Sequence, residues 1–410
     1  MKKLKIISLI LTVAMLTASL SSCLFFDAIT SDGGEGEIGD VTVNVGEVNN
    51  HDVNITSSST AEEIAADKAL MSSVSIRTEA GAGSGVIFKM SDDKSTAYVL
   101  TNYHVVYNAA TGAVSNDIKA YLYGMESQLY QSPSFDYSMR AYYLGGSMEY
   151  DLAVLKISAS SVLMGSVARA CDLADSNKVR VLETAIAVGN AGGQGISVTM
   201  GKINVESEDL PIKAADNVTD LSLRVMRTDA AVNSGNSGGG LFNAKGELIG
   251  IVCAKSASST TDNMGYAIPS NLAKYVADNI IYYCDNGSGY KNVYKCLLGI
   301  NVQIAELYVD YDSEAGELVR KERIKVSNVM EYLDTARTKP GAAFGILAVG
   351  DVINSIKIDG TVYEVTRLFH VTEAMLNARV TSQVVLNVTR GAETIELTIP
   401  LNGNHVSAVK

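Results

Sequence analysis

The chain has 410 residues, 47% of them hydrophobic, and its formal net charge is -12. This length allows two or three domains, and the apolar share argues against an intrinsically disordered chain. The acidic balance argues against nucleic acid as a partner, because binding to a phosphate backbone needs clustered Lys and Arg.

The first 22 residues have the pattern of a secretory signal: three early lysines, an apolar stretch and small residues at the end. The following sequence LSSC (20–23) resembles a bacterial lipobox, which predicts that Cys23 carries lipid and anchors the protein to the membrane outside the cytoplasm. The alternative is an ordinary signal peptide with an incidental cysteine. Residues 23–62 are acidic and rich in Gly, Ser, Thr and Asn, and are predicted to form a flexible tether.

Short segments rich in Val, Ile, Thr and Tyr follow one another between residues 70 and 268, for example SVSIRT (73–78) and LAVLKIS (152–158). Gly, Asn and Asp separate them, which predicts an all-β barrel or sandwich. The first predicted helix is Pro269–Tyr283, with Ser270 as its N-cap. It closes a domain that we assign to residues 63–288.

Four cysteines lie beyond Cys23, and they lack the paired spacing of a zinc site, so we predict neither a metal nor a cofactor. Cys171 and Cys253 lie in apolar segments that favour buried thiols. Only Cys284 and Cys296 are candidates for a disulfide.

The segment NSGNSGGGL (233–241) concentrates small residues between two hydrophobic segments. Such a run is typical of a flexible turn, but it also allows a tight bend that presents the Ser237 hydroxyl among backbone N–H groups. That second interpretation requires a histidine and a carboxylate. His104 is the one histidine of the β-rich region, and Asp151 opens an apolar strand; taken singly, these two could be a structural histidine and a turn residue.

The motifs TNYHVV, DLAVLKI and TDAAVNSGNSGG, in that order, resemble the HtrA (Deg) group of chymotrypsin-like serine proteases. Further likeness in GAGSGVIF, AVGNAGGQGISVTMGKI and GYAIPSNL extends the resemblance over roughly residues 70 to 402. It implies a two-barrel fold in which the first barrel supplies His104 and Asp151 and the second supplies Ser237. It also implies an oxyanion hole at the N–H groups of Gly235 and Ser237, and a homotrimer.

The same resemblance suggests specificity and control. Ala231 and the apolar wall Ile251-Val252-Cys253 predict a pocket for small or medium aliphatic side chains. Two segments, Gly189–Gly195 and Ser256–Asn263, are the predicted regulatory loops. Ser234 and Gly240 stand where the family commonly has proline, which predicts a loosened nucleophile loop and low basal activity.

A second domain over residues 289–404 resembles a PDZ domain of the HtrA type. Its predicted carboxylate-binding loop is Leu298, Gly299 and Ile300, whose N–H groups would receive the C-terminus of a peptide. The alternative is an ordinary strand with a glycine bulge. His370 is predicted to be solvated, and His405 to lie in a tail.

The predicted fold class is therefore mainly β, with a two-barrel chymotrypsin-like protease domain followed by one PDZ domain. The predicted function is a membrane-tethered serine endopeptidase that cleaves misfolded or unfolded proteins and binds C-terminal peptides at the PDZ domain. One alternative is a PDZ-bearing chaperone or stress sensor on a weakly active or inactive protease scaffold. Another is a β-sandwich adhesin, which would require the three candidate catalytic residues to lie far apart.

Overall fold

A computed structural model describes residues 60–126, 136–253, 264–313 and 316–409. The predicted signal peptide, Cys23 and almost all of the predicted tether lie outside these ranges, as does the predicted regulatory loop Ser256–Asn263. Within the described ranges, no helix has both the length and the apolar composition needed to cross a membrane.

The first element is helix α1 (Ala61–Met71), which the sequence analysis missed. Thr60 accepts a hydrogen bond from the Glu63 N–H while the Glu63 carboxylate accepts one from the Thr60 N–H, a reciprocal capping box. Ala65 and Ala69 are buried in the core. Helix α1 therefore begins inside the predicted tether, and the Thr-x-x-Glu spacing was the available signal.

The first barrel is closed, with six antiparallel strands in the order β1-β2-β3-β8-β7-β6. The strands are β1 (Ser73–Thr78), β2 (Gly81–Met90), β3 (Thr96–Thr101), β6 (Ile118–Leu122), β7 (Met139–Ser147) and β8 (Leu152–Ser158). A one-turn helix α2 (Tyr103–Val106), a short hairpin of β4 (Tyr107–Asn108) and β5 (Ala113–Val114), and helix α3 (Ser161–Met164) lie in the connections. Alternating apolar residues fill the interior, as is typical of a small barrel.

The second barrel is also closed, in the order β10-β11-β14-β13-β12-β9. Its strands are β9 (Thr184–Gly189), β10 (Ser197–Lys213), β11 (Asp220–Thr228), β12 (Gly240–Phe242), β13 (Leu248–Cys253) and β14 (Gly265–Pro269). Helix α4 (Ser270–Cys284) follows, close to the predicted bounds. The prediction that Ser270 caps it was wrong: Pro269 is the N-cap residue, and the Ser270 hydroxyl donates instead to the carbonyl of Ala174.

The C-terminal region contains a six-stranded sheet, a separate two-stranded sheet and helix α5 (Leu368–Ala374). The larger sheet contains β16 (Ile300–Asp312), β17 (Glu317–Val329), β18 (Val352–Ile358), β19 (Thr361–Glu364), β20 (Val384–Arg390) and β21 (Glu393–Ile399). The smaller one pairs β15 (Val293–Cys296) with β22 (Val406–Val409), so this region continues beyond the predicted boundary at residue 404.

Two predictions about histidines in this region were wrong. His405 is only 3% exposed, since the turn before β22 packs against the rest of the region. His370 is half-buried on α5, where its Nδ1 accepts the N–H of Thr366. Burial, followed by the charges of Arg224 and Arg367, lowers the pKa of His370 to about 4.

Helix α5 is bound to the second barrel by an ion pair. The guanidinium of Arg224 on β11 makes two hydrogen bonds to the Glu373 carboxylate, at 2.6 and 2.8 Å, and both side chains are 8% exposed. Arg224 also lies over the Phe369 ring, 4.0 Å from its centroid. Burial raises the pKa of Glu373, while the neighbouring guanidinium opposes that shift.

None of the four cysteines in the described ranges forms a disulfide. The candidate pair is separated: the Cys284 thiol faces the carbonyl of Asn292, and the Cys296 thiol faces that of Ala378. Burial raises the pKa of each of these two thiols to about 11.

Candidate active site

His104 and Asp151 are brought together by two adjacent strands of the first barrel. β3 ends at Thr101, and His104 follows on α2; β8 begins directly after Asp151, and Thr101 pairs with Ala153 in the sheet. The imidazole Nδ1 lies 2.7 Å from Asp151 Oδ2 and 3.0 Å from Oδ1. The His104 backbone N–H also donates to Oδ1, at 3.1 Å. This carboxylate therefore fixes the orientation of the imidazole ring.

Asp151 is itself held from two further sides. It has φ +49 and a side chain only 2% exposed, an uncommon conformation for a residue with a Cβ. The amide of Asn102 donates to the Asp151 carbonyl at 2.9 Å, which supports that conformation. The thiol of Cys253, from the second barrel, lies 3.6 Å from Oδ2. Neither contact was predictable from the sequence, because Asn102 and Cys253 stand in no recognisable pattern with Asp151.

Ser237 lies in a buried bend between the barrels. The carbonyl of Ser237 accepts the N–H of Ser84 at 2.8 Å, which ties the bend to β2 of the first barrel. Gly238, with φ +84, could not carry a side chain, since a Cβ there would lie 2.2 Å from the Ser84 carbonyl oxygen. The glycine-rich segment is therefore a defined bend pressed against β2.

Gly83 on β2 lies between the bend that contains Ser237 and helix α2. A Cβ at Gly83 would lie 2.5 Å from a methyl group of Val105, next to His104, and 3.3 Å from the carbonyl oxygen of Ser237. The segments carrying His104 and Ser237 thus meet across one glycine of β2. This packing differs from the adhesin alternative, which requires the candidate catalytic residues to lie far apart.

The direction of the Gly235 N–H follows from its neighbours. The carbonyl of Ser234 accepts the N–H of Gly192 at 2.8 Å, and the peptide bond that follows is trans. Because C=O and N–H point in opposite directions across a trans peptide, the Gly235 N–H points away from Gly192. Gly235 has φ +96, and a Cβ there would lie 2.2 Å from the carbonyl oxygen of Asn190, so only glycine fits.

The residues of the predicted specificity pocket lie in different surroundings. Ala231 is exposed, and its carbonyl accepts the hydroxyl of Thr199 at 2.9 Å. The side chains of Ile251, Val252 and Cys253 are completely buried and belong to three separate hydrophobic clusters. In this conformation Ala231 alone of the four has an exposed side chain, and the Cys253 thiol faces Asp151.

The loosening predicted at Gly240 is not seen in its packing. Gly240 lies in β12 between β9 and β13, and a Cβ there would be 2.3 Å from the Phe242 ring. The aromatic ring occupies the space that a side chain at Gly240 would need. Absence of proline here is therefore accompanied by close packing.

The candidate carboxylate loop of the C-terminal region precedes β16, which lies at one edge of the six-stranded sheet. Gly299 has φ +76, and its carbonyl accepts the N–H of Met330. Leu298 is buried, with its carbonyl bound to the N–H of Ala343, and Ile300 is half-buried as the first residue of β16. Helix α5 contacts the same edge strand.

Comparison with known proteins shows which family residues 83–251 match. Residues 83–251 match the family described as trypsin-like peptidase domain. The chain is 35% identical over 204 residues to the serine protease Do-like HtrA of Bacillus subtilis (strain 168), covering 50% of this chain and 40% of that protein. It is 32% identical over 219 residues to a serine protease HtrA-like of Staphylococcus aureus (strain USA300), covering 52% and 26%.

A solved structure, described as HtrA-type protease AlgW with tripeptide, superposes with a TM-score of 0.52 at 28% identity. That alignment covers 84% of this chain and 97% of the other. The chain spans less than half the length of the two curated relatives. The two closed barrels agree with the matched family and with these relatives: residues 83–251 belong to the trypsin-like peptidase domain family, and the chain is similar to HtrA serine proteases.

Proposed function

We propose that the chain is a serine endopeptidase acting on unfolded or misfolded proteins. The observation that carries this proposal is the part-buried hydrogen bond between His104 Nδ1 and the Asp151 carboxylate, beside the bend that contains Ser237. A carboxylate on Nδ1 leaves the other imidazole nitrogen to act as a base. HtrA serine proteases among the relatives support the same chemistry.

In the proposed mechanism, Ser237 Oγ attacks the scissile carbonyl carbon while His104 accepts the hydroxyl proton. The tetrahedral intermediate carries its negative charge on oxygen, stabilised by the N–H groups of Gly235 and Ser237. His104 then returns the proton to the leaving amine, and water hydrolyses the acyl-enzyme by the same steps in reverse order. Asp151 stabilises the imidazolium formed at each stage.

We further propose that the pocket beside Ala231 accepts small or medium aliphatic side chains, since it offers no acidic partner for Arg or Lys at that position. The loop Leu298–Ile300 and edge strand β16 form the proposed PDZ site, where a peptide C-terminus adds as a strand. Lipid on Cys23 is the proposed membrane anchor outside the cytoplasm, and a homotrimer the proposed assembly.

The test is hydrolysis of unfolded casein by the full-length chain, beside a Ser237→Ala variant and a Ser222→Ala control. Ser222 is an exposed serine on β11, so its loss should leave cleavage intact. Cleavage by the wild type and the control but not by Ser237→Ala supports the proposal. Absence of cleavage by all three, with C-terminal peptides present, favours a chaperone or stress sensor on an inactive scaffold.

Regulation is tested separately. A peptide matching the proposed PDZ site should raise the turnover of a short chromogenic substrate if that site controls the protease. Equal turnover with and without the peptide contradicts the regulatory part and leaves the endopeptidase proposal standing.

A further inference from the structure

A nearly buried carboxylate in the first barrel lies close to the nucleophile bend without belonging to it. Glu126 follows β6, and its side chain is 10% exposed. It accepts hydrogen bonds from the hydroxyl of Ser75 and from Nε of Arg77, both on β1, and from the side-chain amide of Asn190 at 3.2 Å. Asn190 comes from the second barrel, so Glu126 joins the two barrels at this point.

Arg77 makes a second contact with the same loop. Its Nη2 donates to the carbonyl of Gly193 at 2.6 Å, while its Nε is bound to Glu126. The side-chain oxygen of Asn190 accepts the N–H of Gly195 at 2.7 Å. Glu126 and Arg77 therefore hold the loop 190–195 at Asn190 and Gly193, and Asn190 closes the loop on itself.

Gly192 lies between these two attachment points and touches the nucleophile bend. Its N–H donates to the Ser234 carbonyl at 2.8 Å, which sets the plane of the Ser234–Gly235 peptide. The orientation of the Gly235 N–H thus depends on where the loop places Gly192. Ser84 adds a second tie, because its hydroxyl accepts the Asn190 N–H and donates to the Gly235 carbonyl, both at 2.7 Å.

We propose that Glu126 is a positioning residue for catalysis: with Arg77, it fixes the loop 190–195 so that the Gly235 N–H faces the oxyanion. The inference rests on the proposed endopeptidase function for its catalytic consequence. Its structural part concerns the loop alone and can be measured without any substrate. Neither side chain needs to touch the substrate for this role.

Two variants separate the contacts. Glu126→Gln keeps the shape but removes the charge and places an NH₂ group among donors. Arg77→Lys keeps the positive charge but removes the guanidinium group, which donates to Glu126 and to the Gly193 carbonyl at the same time. The matched controls are Glu393→Gln and Arg140→Lys, both at exposed positions of other strands.

The first readout is hydrogen–deuterium exchange of the peptide covering residues 190–195. Both test variants should speed exchange there, because the Gly192 and Gly195 amides lose their fixed acceptors, and both controls should match the wild type. Unchanged exchange in the test variants overturns the proposal, whether or not the wild type cleaves casein.

The second readout compares a peptide aldehyde with the matching peptide alcohol as inhibitors. The aldehyde adds to Ser237 and places an oxyanion between the candidate N–H donors, whereas the alcohol binds without one. Both test variants should lower kcat by about 10-fold at similar KM, which is less than the roughly 10²- to 10³-fold lost when a whole donor is removed. Both test variants should bind the aldehyde more weakly and the alcohol as tightly as the wild type does. An equal loss of affinity for both inhibitors indicates a merely structural role and overturns the proposal.

Discussion

Gly235→Ala tests whether the backbone of the nucleophile bend supplies the oxyanion donor. The added Cβ would stand at φ +96, 2.2 Å from the Asn190 carbonyl oxygen and 3.1 Å from the Gly192 nitrogen. Both neighbours are backbone atoms, so no side chain can rotate away to make room. Either Gly235 must change its φ and ψ or the loop 190–195 must move.

Two contributions determine the magnitude. A residue with a Cβ at positive φ costs about 1–2 kcal/mol in the native state. Displacement of the Gly235 N–H removes one donor to the oxyanion, which lowers kcat about 10²- to 10³-fold, or about 3–4 kcal/mol in the barrier. The activity loss should therefore exceed what the loss of stability alone explains.

The assay is kcat on a short peptide ester, with thermal unfolding measured on the same samples. Gly287→Ala is the matched control, because Gly287 has φ +75 but no atom within 4 Å of its added Cβ. Both variants share the backbone cost, and only Gly235→Ala should lose activity. Normal kcat in a folded Gly235→Ala protein refutes this account of the bend.

Three further predictions concern groups outside the active site. Arg224→Met should lower the free energy of unfolding by about 3–5 kcal/mol, because it leaves the buried Glu373 carboxylate without its partner; denaturant titration measures this loss. His370, with its pKa lowered to about 4, should make the free energy of unfolding fall by up to about 3 kcal/mol as the pH drops from about 6.5 to about 4, because the unfolded chain takes up the proton first. The Cys171 thiol, whose pKa burial raises to about 12, should resist alkylation at pH 8 until the protein unfolds, as mass spectrometry of iodoacetamide-treated protein will show.

Each of these has its own control. Lys213→Met removes an exposed ion pair with Asp220 and should change stability little; a loss equal to that of Arg224→Met contradicts the importance of burial. His370→Gln should remove its share of the acid dependence, and an unchanged pH profile would exclude His370 as its source. Rapid alkylation of Cys171 in the native protein would contradict a raised thiol pKa.

Local patterns were sufficient for the strands and for the candidate catalytic residues. Enrichment in β-branched and aromatic residues, as in SVSIRT and LAVLKIS, predicted strands such as β1 and β8 because these side chains pack well on a sheet surface. The motif resemblance predicted the mainly β, two-barrel fold, which the closed barrels confirm. The PDZ assignment and the catalytic roles of His104, Asp151 and Ser237 stay predictions.

Sequence alone thus determined the fold class and the candidate residues, since periodicity and short motifs are written in neighbouring positions. Only the tertiary structure decided that the Cys253 thiol faces Asp151, that Asn102 holds the Asp151 carbonyl, and that Glu126 reaches Asn190. These contacts join residues 49 to 102 positions apart. The physical reason is the closure of each barrel and the packing of the two barrels against each other, which bring distant segments side by side and leave no trace in the spacing of the residues that they join.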